Sequence, residues 1–191
     1  MTHIDLLRIL QSGIENWNQW REENKKTKID MSGMNLFEAK LIGINLRSVN
    51  LRNVNFKGAD LRDSDLIDTD MSKANLEKAD LRNAVLSDAN LKGANLNGAD
   101  LRNSILSYAN LIRASLSDTD LEGAKLDSAY LNNAKLIRAH LDAADLSNAD
   151  LTDADLADAI LIGADLTGAN LTNCQITQAQ LATTKTHSRL P

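Results

Sequence analysis

The chain has 191 residues, 21 basic and 26 acidic side chains and a formal net charge of −5. No concentrated basic face with interleaved aromatics appears in it, which argues against direct nucleic-acid binding. Aromatic residues make up only 3% of the chain, so its core must be tiled with Leu and Ala rather than rings.

The N-terminal 30 residues carry helical spacing. Leu6, Leu7, Leu10, Ile14, Trp17 and Trp20 fall on one face, and Thr2 with Asp5 has the form of a capping box. The spacing predicts one amphipathic helix over 3–24, a lid with both tryptophans packed beneath it. Lys25, Lys26 and Lys28 then form a solvated connector, giving a capping unit over 1–28. Asp5 and Arg8 interrupt the only N-terminal apolar run, so neither a signal peptide nor a membrane span is expected and the cytoplasm is the default compartment.

From Met31 to Leu181 every fifth residue is Leu, Met, Phe or Ile, thirty-one times in succession. A helix would scatter these residues around its surface, and a flat strand would send them to alternate faces. The chain must therefore turn within each repeat and stack on itself. With the large apolar residue as centre i, the consensus is A(D/N)LXX. If i−2 to i are extended, the small residue and the leucine point inward and the Asp or Asn between them points out. Every glycine except Gly13 falls at i+2, where twelve Asn or Asp also stand; these residues tolerate the positive φ of a tight corner. Cys174 occupies an i−2 slot and reads as a small buried hydrophobe rather than a reactive thiol.

These A(D/N)LXX repeats, as in Asn75-Leu76, Asn90-Leu91 and Asp100-Leu101, resemble those of pentapeptide repeat proteins, and the resemblance covers residues 29–183. It implies an all-β solenoid, a right-handed quadrilateral β-helix with four repeats per coil and nearly eight coils. Helical N-terminal caps of this kind are similar to those of bacterial, notably cyanobacterial, members. The gyrase-protecting members are known for a C-terminal dimer module, which is not seen here. Residues 184–191 form a tail with little apolar material, so either the tail folds over the last coil or that end is a contact surface. The expected state is a monomer or a weak dimer through the C-terminal coil.

Catalysis needs a concave site with convergent polar groups, and the unbroken beat leaves no insertion to build one. His3, His140 and His187 lie far apart with no metal-ligand spacing. The protein reads as no enzyme, with no catalytic residues, no cofactor and no metal, and function is expected on the outer surface. Asp60, Asp80, Asp100 and Asp120 form one column at a spacing of twenty and Arg62, Arg82 and Arg102 its neighbour, a solubilising charge lattice. Two departures stand out. In one coil Lys125, Tyr130, Lys135 and His140 replace all four outward Asp or Asn residues, a girdle of basic and aromatic groups facing four sides. Beyond it comes an acidic run that includes Asp150, Asp153, Asp155 and Asp158, with no Lys or Arg between Ala139 and Thr184. Residues 109–170 also echo at twenty-five (Ala109 to Ala114, Ala134 to Ala139, Ala159 to Ala164), the mark of a five-repeat duplication.

The leading expectation is a non-catalytic protein-interaction module with an unidentified protein partner. Two alternatives stand beside it. One is a DNA-mimicking protein that binds or protects a type II topoisomerase, as the acidic third suggests by resemblance. The other is a self-assembling scaffold.

Overall fold

A leucine in every fifth place can be buried only where the chain turns between leucines. The computed structural model of the protein, which describes residues 2–185, turns at every repeat. Each corner is closed by an N–H donating back to the preceding centre, as from Ala59 to the Phe56 carbonyl at 2.9 Å. The i+2 residue of each corner has positive φ at every repeat from Gly33 to Asn173, including 21 residues that are not glycine. That is the conformation a type II turn demands of its third residue.

Parallel bridges join i−1 residues twenty apart, from Asp30 with Asn50 to Asp155 with Gln175. Four repeats therefore make one coil, and each coil hydrogen-bonds to those before and after it. In the repeat centred on Leu76, the N–H of Leu76 donates to Asn95 at 2.7 Å and that of Lys78 to Asn97 at 3.0 Å. The N–H of Asn75 donates to Val54 in the preceding coil at 2.9 Å. A proline in this stretch would break the ladder. Centres and i−2 residues fill the interior together, Leu46 to Leu161 and Ala59 to Ala164 being buried. Ser64, Thr69, Ser104 and Thr119 take i−2 slots, and each hydroxyl donates to a leucine carbonyl at 2.6 to 2.9 Å. A buried hydroxyl without such a partner would be destabilising.

The cap differs from the expected single helix. Helix α1 spans His3–Gln11 and helix α2 spans Ile14–Glu23, separated at Ser12 and Gly13. Gly13 has φ +113, outside helical geometry, and glycine is the residue that most weakens a helix apart from proline. The Thr2 and Asp5 capping box opens α1. Trp17 is fully buried and Trp20 partly so, both against the solenoid core.

Helix α2 seals one face of the first coil with side chains that replace a missing neighbour. The Trp17 indole donates to the Asn45 carbonyl at 2.7 Å. Asn18 donates to the Gly43 carbonyl at 2.9 Å and accepts from the Asn45 N–H at 2.8 Å. Arg21 donates to the Arg47 carbonyl at 2.5 Å. An uncovered strand edge invites pairing with other chains, and these four bonds close part of it.

At the other end the five-residue beat runs to Leu181 in sequence, but the repeat conformation stops near Ile176. Helix α3, Gln178–Leu181, replaces the next repeat, opened by a Thr177 and Gln180 capping box. The Gln180 amide donates to the Leu156 and Ala159 carbonyls at 2.8 and 2.9 Å, and the Lys185 N–H to Ala164 at 2.9 Å. The start of the tail thus folds against the last coil. Residues 186–191, with His187, lie outside the described residues.

Candidate functional site

The outward i−1 residue has a structural task that the repeat pattern signals but does not spell out. Its Oδ1 accepts the N–H of i+1, a corner donor that neither the coil-to-coil ladder nor the turn-closing bond uses. Asp70 accepts from Ser72 at 3.0 Å, Asn75 from Glu77 at 3.1 Å and Asp145 from Ser147 at 2.9 Å. This is an Asx turn, and it is why Asp and Asn dominate i−1.

Along one face these carboxylates also hold the charge lattice together. Arg62, Arg82 and Arg102 each lie 2.6 to 2.7 Å from the aspartate of their own repeat and 3.4 to 3.5 Å from that of the next coil. The chain of contacts runs unbroken from Asp60 to Asp120. The guanidinium of Arg62, donating to Asp60, holds that carboxyl below its ordinary value. Such half-exposed pairs contribute little individually, and as a row they offset the like-charge repulsion within each column.

The girdle residues Lys125, Tyr130, Lys135 and His140 are all exposed. They stand on four different sides, one per repeat, under Asp145, Asp150, Asp155 and Ile160 of the next coil; the fold does not bring them together. None of the four accepts the i+1 N–H as Asp or Asn does, so this coil gives up four Asx bonds. Tyr130, 50% exposed, bridges Asn110. Two residues before Asn110 stands Tyr108, 55% exposed with φ +62. Gly, Asn and Asp fill most such positions, and a bulky residue there is strained. The repeat reading did not single out Tyr108, although an aromatic side chain in an i+2 slot was the available signal. Two tyrosines that both depart from the repeat's preferences therefore stand on adjoining coils, Tyr108 at a corner and Tyr130 on the side that follows it, where the exposed Arg113 and half-buried Ile112 also lie.

The four acidic candidates divide between two adjoining sides, Asp150 with Asp153 and Asp155 with Asp158. Asp150 accepts from the N–H and the hydroxyl of Thr152 at 3.0 and 2.6 Å, bonds that lower its pKa. Asp155 accepts from the Ala157 N–H at 3.0 Å, and Asp153 from the Asn173 amide at 3.1 Å. Asp158 faces Arg138, whose guanidinium is bound to Asp118 at 2.7 Å. Much of the acidic run thus serves the backbone as well as the surface.

Cys174 is half-buried, and burial pushes its thiol up to about 11, the setting of an unreactive cysteine. Among the described residues no group of three His, Cys, Asp or Glu is placed to hold a metal ion, and no helix is long and apolar enough to cross a membrane.

The profile of the family described as pentapeptide repeats matches residues 27–53, 50–88, 84–123, 114–153 and 149–185. HetL, a pentapeptide repeat protein involved in heterocyst differentiation regulation from the cyanobacterium Nostoc sp. strain PCC 7120, is 30% identical. The match covers 82% of this chain and 92% of HetL, with a TM-score of 0.28. Rfr23 from the cyanobacterium Cyanothece 51142 is also 30% identical, over 84% of this chain and 94% of its own, with a TM-score of 0.25. A pentapeptide repeat protein from the Arabidopsis thaliana thylakoid lumen is 28% identical over 59% of this chain and 71% of its own, with a TM-score of 0.42. No curated protein sequence matches the chain. Because the profile runs from residue 27 to residue 185, along the stretch whose coils repeat every twenty residues, the chain belongs to the pentapeptide repeat family.

Proposed function

We propose that the protein is a non-catalytic interaction module, a right-handed quadrilateral β-helix that presents the corner bearing Tyr108 and Tyr130 to a protein partner. One observation carries this reading: both tyrosines occupy slots where the repeat favours other residues, and both are about half exposed, Tyr108 at a corner and Tyr130 one coil on along the side that follows it. Departures from local consistency concentrate at functional sites, and exposed Tyr beside Arg is the composition of binding hot spots. Lys125, Lys135 and His140 face other sides, so a partner seated on this corner leaves at least part of the girdle untouched.

The test is affinity capture from lysate of the cells that make the protein, comparing the wild-type rod with a Tyr108→Asn, Tyr130→Asn double variant. Specific partners should be lost from the variant while its melting temperature does not fall. Equal recovery of the same partners by a folded variant contradicts the reading.

A second reading, DNA mimicry toward a type II topoisomerase, has one feature in its favour, the run from Ala139 to Thr184 without Lys or Arg. Replacing Asp150, Asp153, Asp155 and Asp158 by Asn should then abolish any effect on supercoiling by gyrase. An effect that survives the change removes this reading.

A further inference from the structure

We propose that the seam between helix α2 and the first coil binds a small organic carboxylate, with Arg21 as its anchor. Arg21 is 8% exposed, and its Nε is, among the described residues, the one buried side-chain nitrogen or oxygen without a hydrogen-bond partner. Its Nη2 donates to the Arg47 carbonyl, and neither of its other side-chain nitrogens bonds to a described residue. A buried guanidinium left in this state is unusual, because buried polar groups are nearly always satisfied.

Arg21 lines a cavity of about 420 Å³ between helix and coil, within the range of small-ligand sites. Three cations and two carboxylates surround it. Lys25 is paired with Glu22 at 2.7 Å and Arg47 with Asp65 at 3.1 Å, which leaves Arg21, among the described residues lining the cavity, as the cation in no direct ion pair. The seam therefore carries one uncompensated positive charge, the complement of a monoanion. Thr27 and Ser48 also line it, and their hydroxyls are neutral donors. A carboxylate reaching Nη1 would meet the charge-assisted geometry that guanidinium groups favour. A dianionic phosphate would leave net negative charge beside Glu22 and Asp65, so the charge count favours the carboxylate.

The chain's two tryptophans lie on α2, Trp20 immediately before Arg21 and Trp17 one turn earlier, with ring centroids 5.8 Å apart. Their fluorescence is a built-in reporter. Titration of the intact protein with sodium acetate, against sodium chloride at equal ionic strength, should give a saturable change with acetate alone. Arg21→Lys should weaken binding about tenfold, because the planar fork is lost. Glu22→Gln, at an exposed site, should leave the fold intact and tighten binding about threefold by removing a competing charge. Three results would overturn the proposal: no saturable response in the folded protein, acetate affinity unchanged in both variants, or a response to inorganic phosphate but none to acetate.

Discussion

Tyr130 pairs with Asn110 in the parallel ladder, and this register places it one coil beyond the corner that carries Tyr108. Neither residue is explained by the needs of the repeat. Tyr130 supplies no acceptor for the N–H of Asn132, and Tyr108 holds a left-handed backbone conformation that costs an ordinary side chain about 1 to 2 kcal/mol.

Restoring the repeat's own chemistry at this corner should therefore stabilise the protein. Tyr130→Asn returns an Asx bond and should add about 0.5 to 1.5 kcal/mol, and Tyr108→Gly should add about 1 kcal/mol by relieving strain. Chemical denaturation with an unchanged slope would read both. If either change lowers the midpoint, the tyrosine contributes packing that its exposure does not suggest.

The architecture was largely legible in the primary structure because one rule is repeated thirty-one times. A slot that always holds a large apolar residue can only face inward, and a slot filled by Gly, Asn and Asp can only be a tight corner. What escaped was information that no periodic pattern carries. Helical spacing continues across Ser12 and Gly13, so the break between α1 and α2 was hidden behind residues that fit either arrangement. The Asx bond at i−1 was masked because outward Asp and Asn are equally expected of a solvated face. Helix α3 was hidden because Ile176 and Leu181 keep the beat although Thr177 and Gln180 favour a helix start.

The interior tolerates little extra volume. Ala94 is 1% exposed, facing inward at i−2 beneath the next coil, and Ala94→Leu should cost about 1 to 3 kcal/mol through overpacking. Ala94→Gly should also destabilise, by loss of packing and gain of unfolded-state freedom. Thermal melts compare the two, and an unchanged Ala94→Leu protein would place this residue outside the core.

The cap should fray before the coils. Trp17→Phe keeps the ring but removes the indole donor to Asn45, leaving that carbonyl unpaired at a cost of about 1 kcal/mol. Asn18→Ala removes two bonds to the first coil. In both variants amide exchange should rise in residues 14–45 and remain unchanged near Leu106. Uniform acceleration along the whole rod would show that cap and coils unfold as one unit.

Stability should fall in acid. Arg62 donating to Asp60, Arg138 donating to Asp118 and the Thr152 hydroxyl donating to Asp150 each hold a carboxyl below its ordinary value. At Asp100 burial pushes the other way, and the Arg102 contact outweighs it. Groups lowered on folding stabilise fully above their unfolded value of about 3.9, and the stabilisation is lost as pH falls through the native values. Denaturation midpoints should be flat from about pH 5 to pH 8 and drop below about pH 4. Asp60→Asn should flatten part of that drop, and an equally steep decline in the variant would assign the acid sensitivity to other groups.

The claim that one corner of the rod is the docking surface is tested most directly by a photocrosslinking amino acid placed in living cells. It would replace Tyr130 in one strain and His140, two repeats away on the opposite side of the same coil, in another. The account predicts a discrete adduct from position 130 and none from position 140. Adducts from position 140 alone, or from neither position, would contradict it.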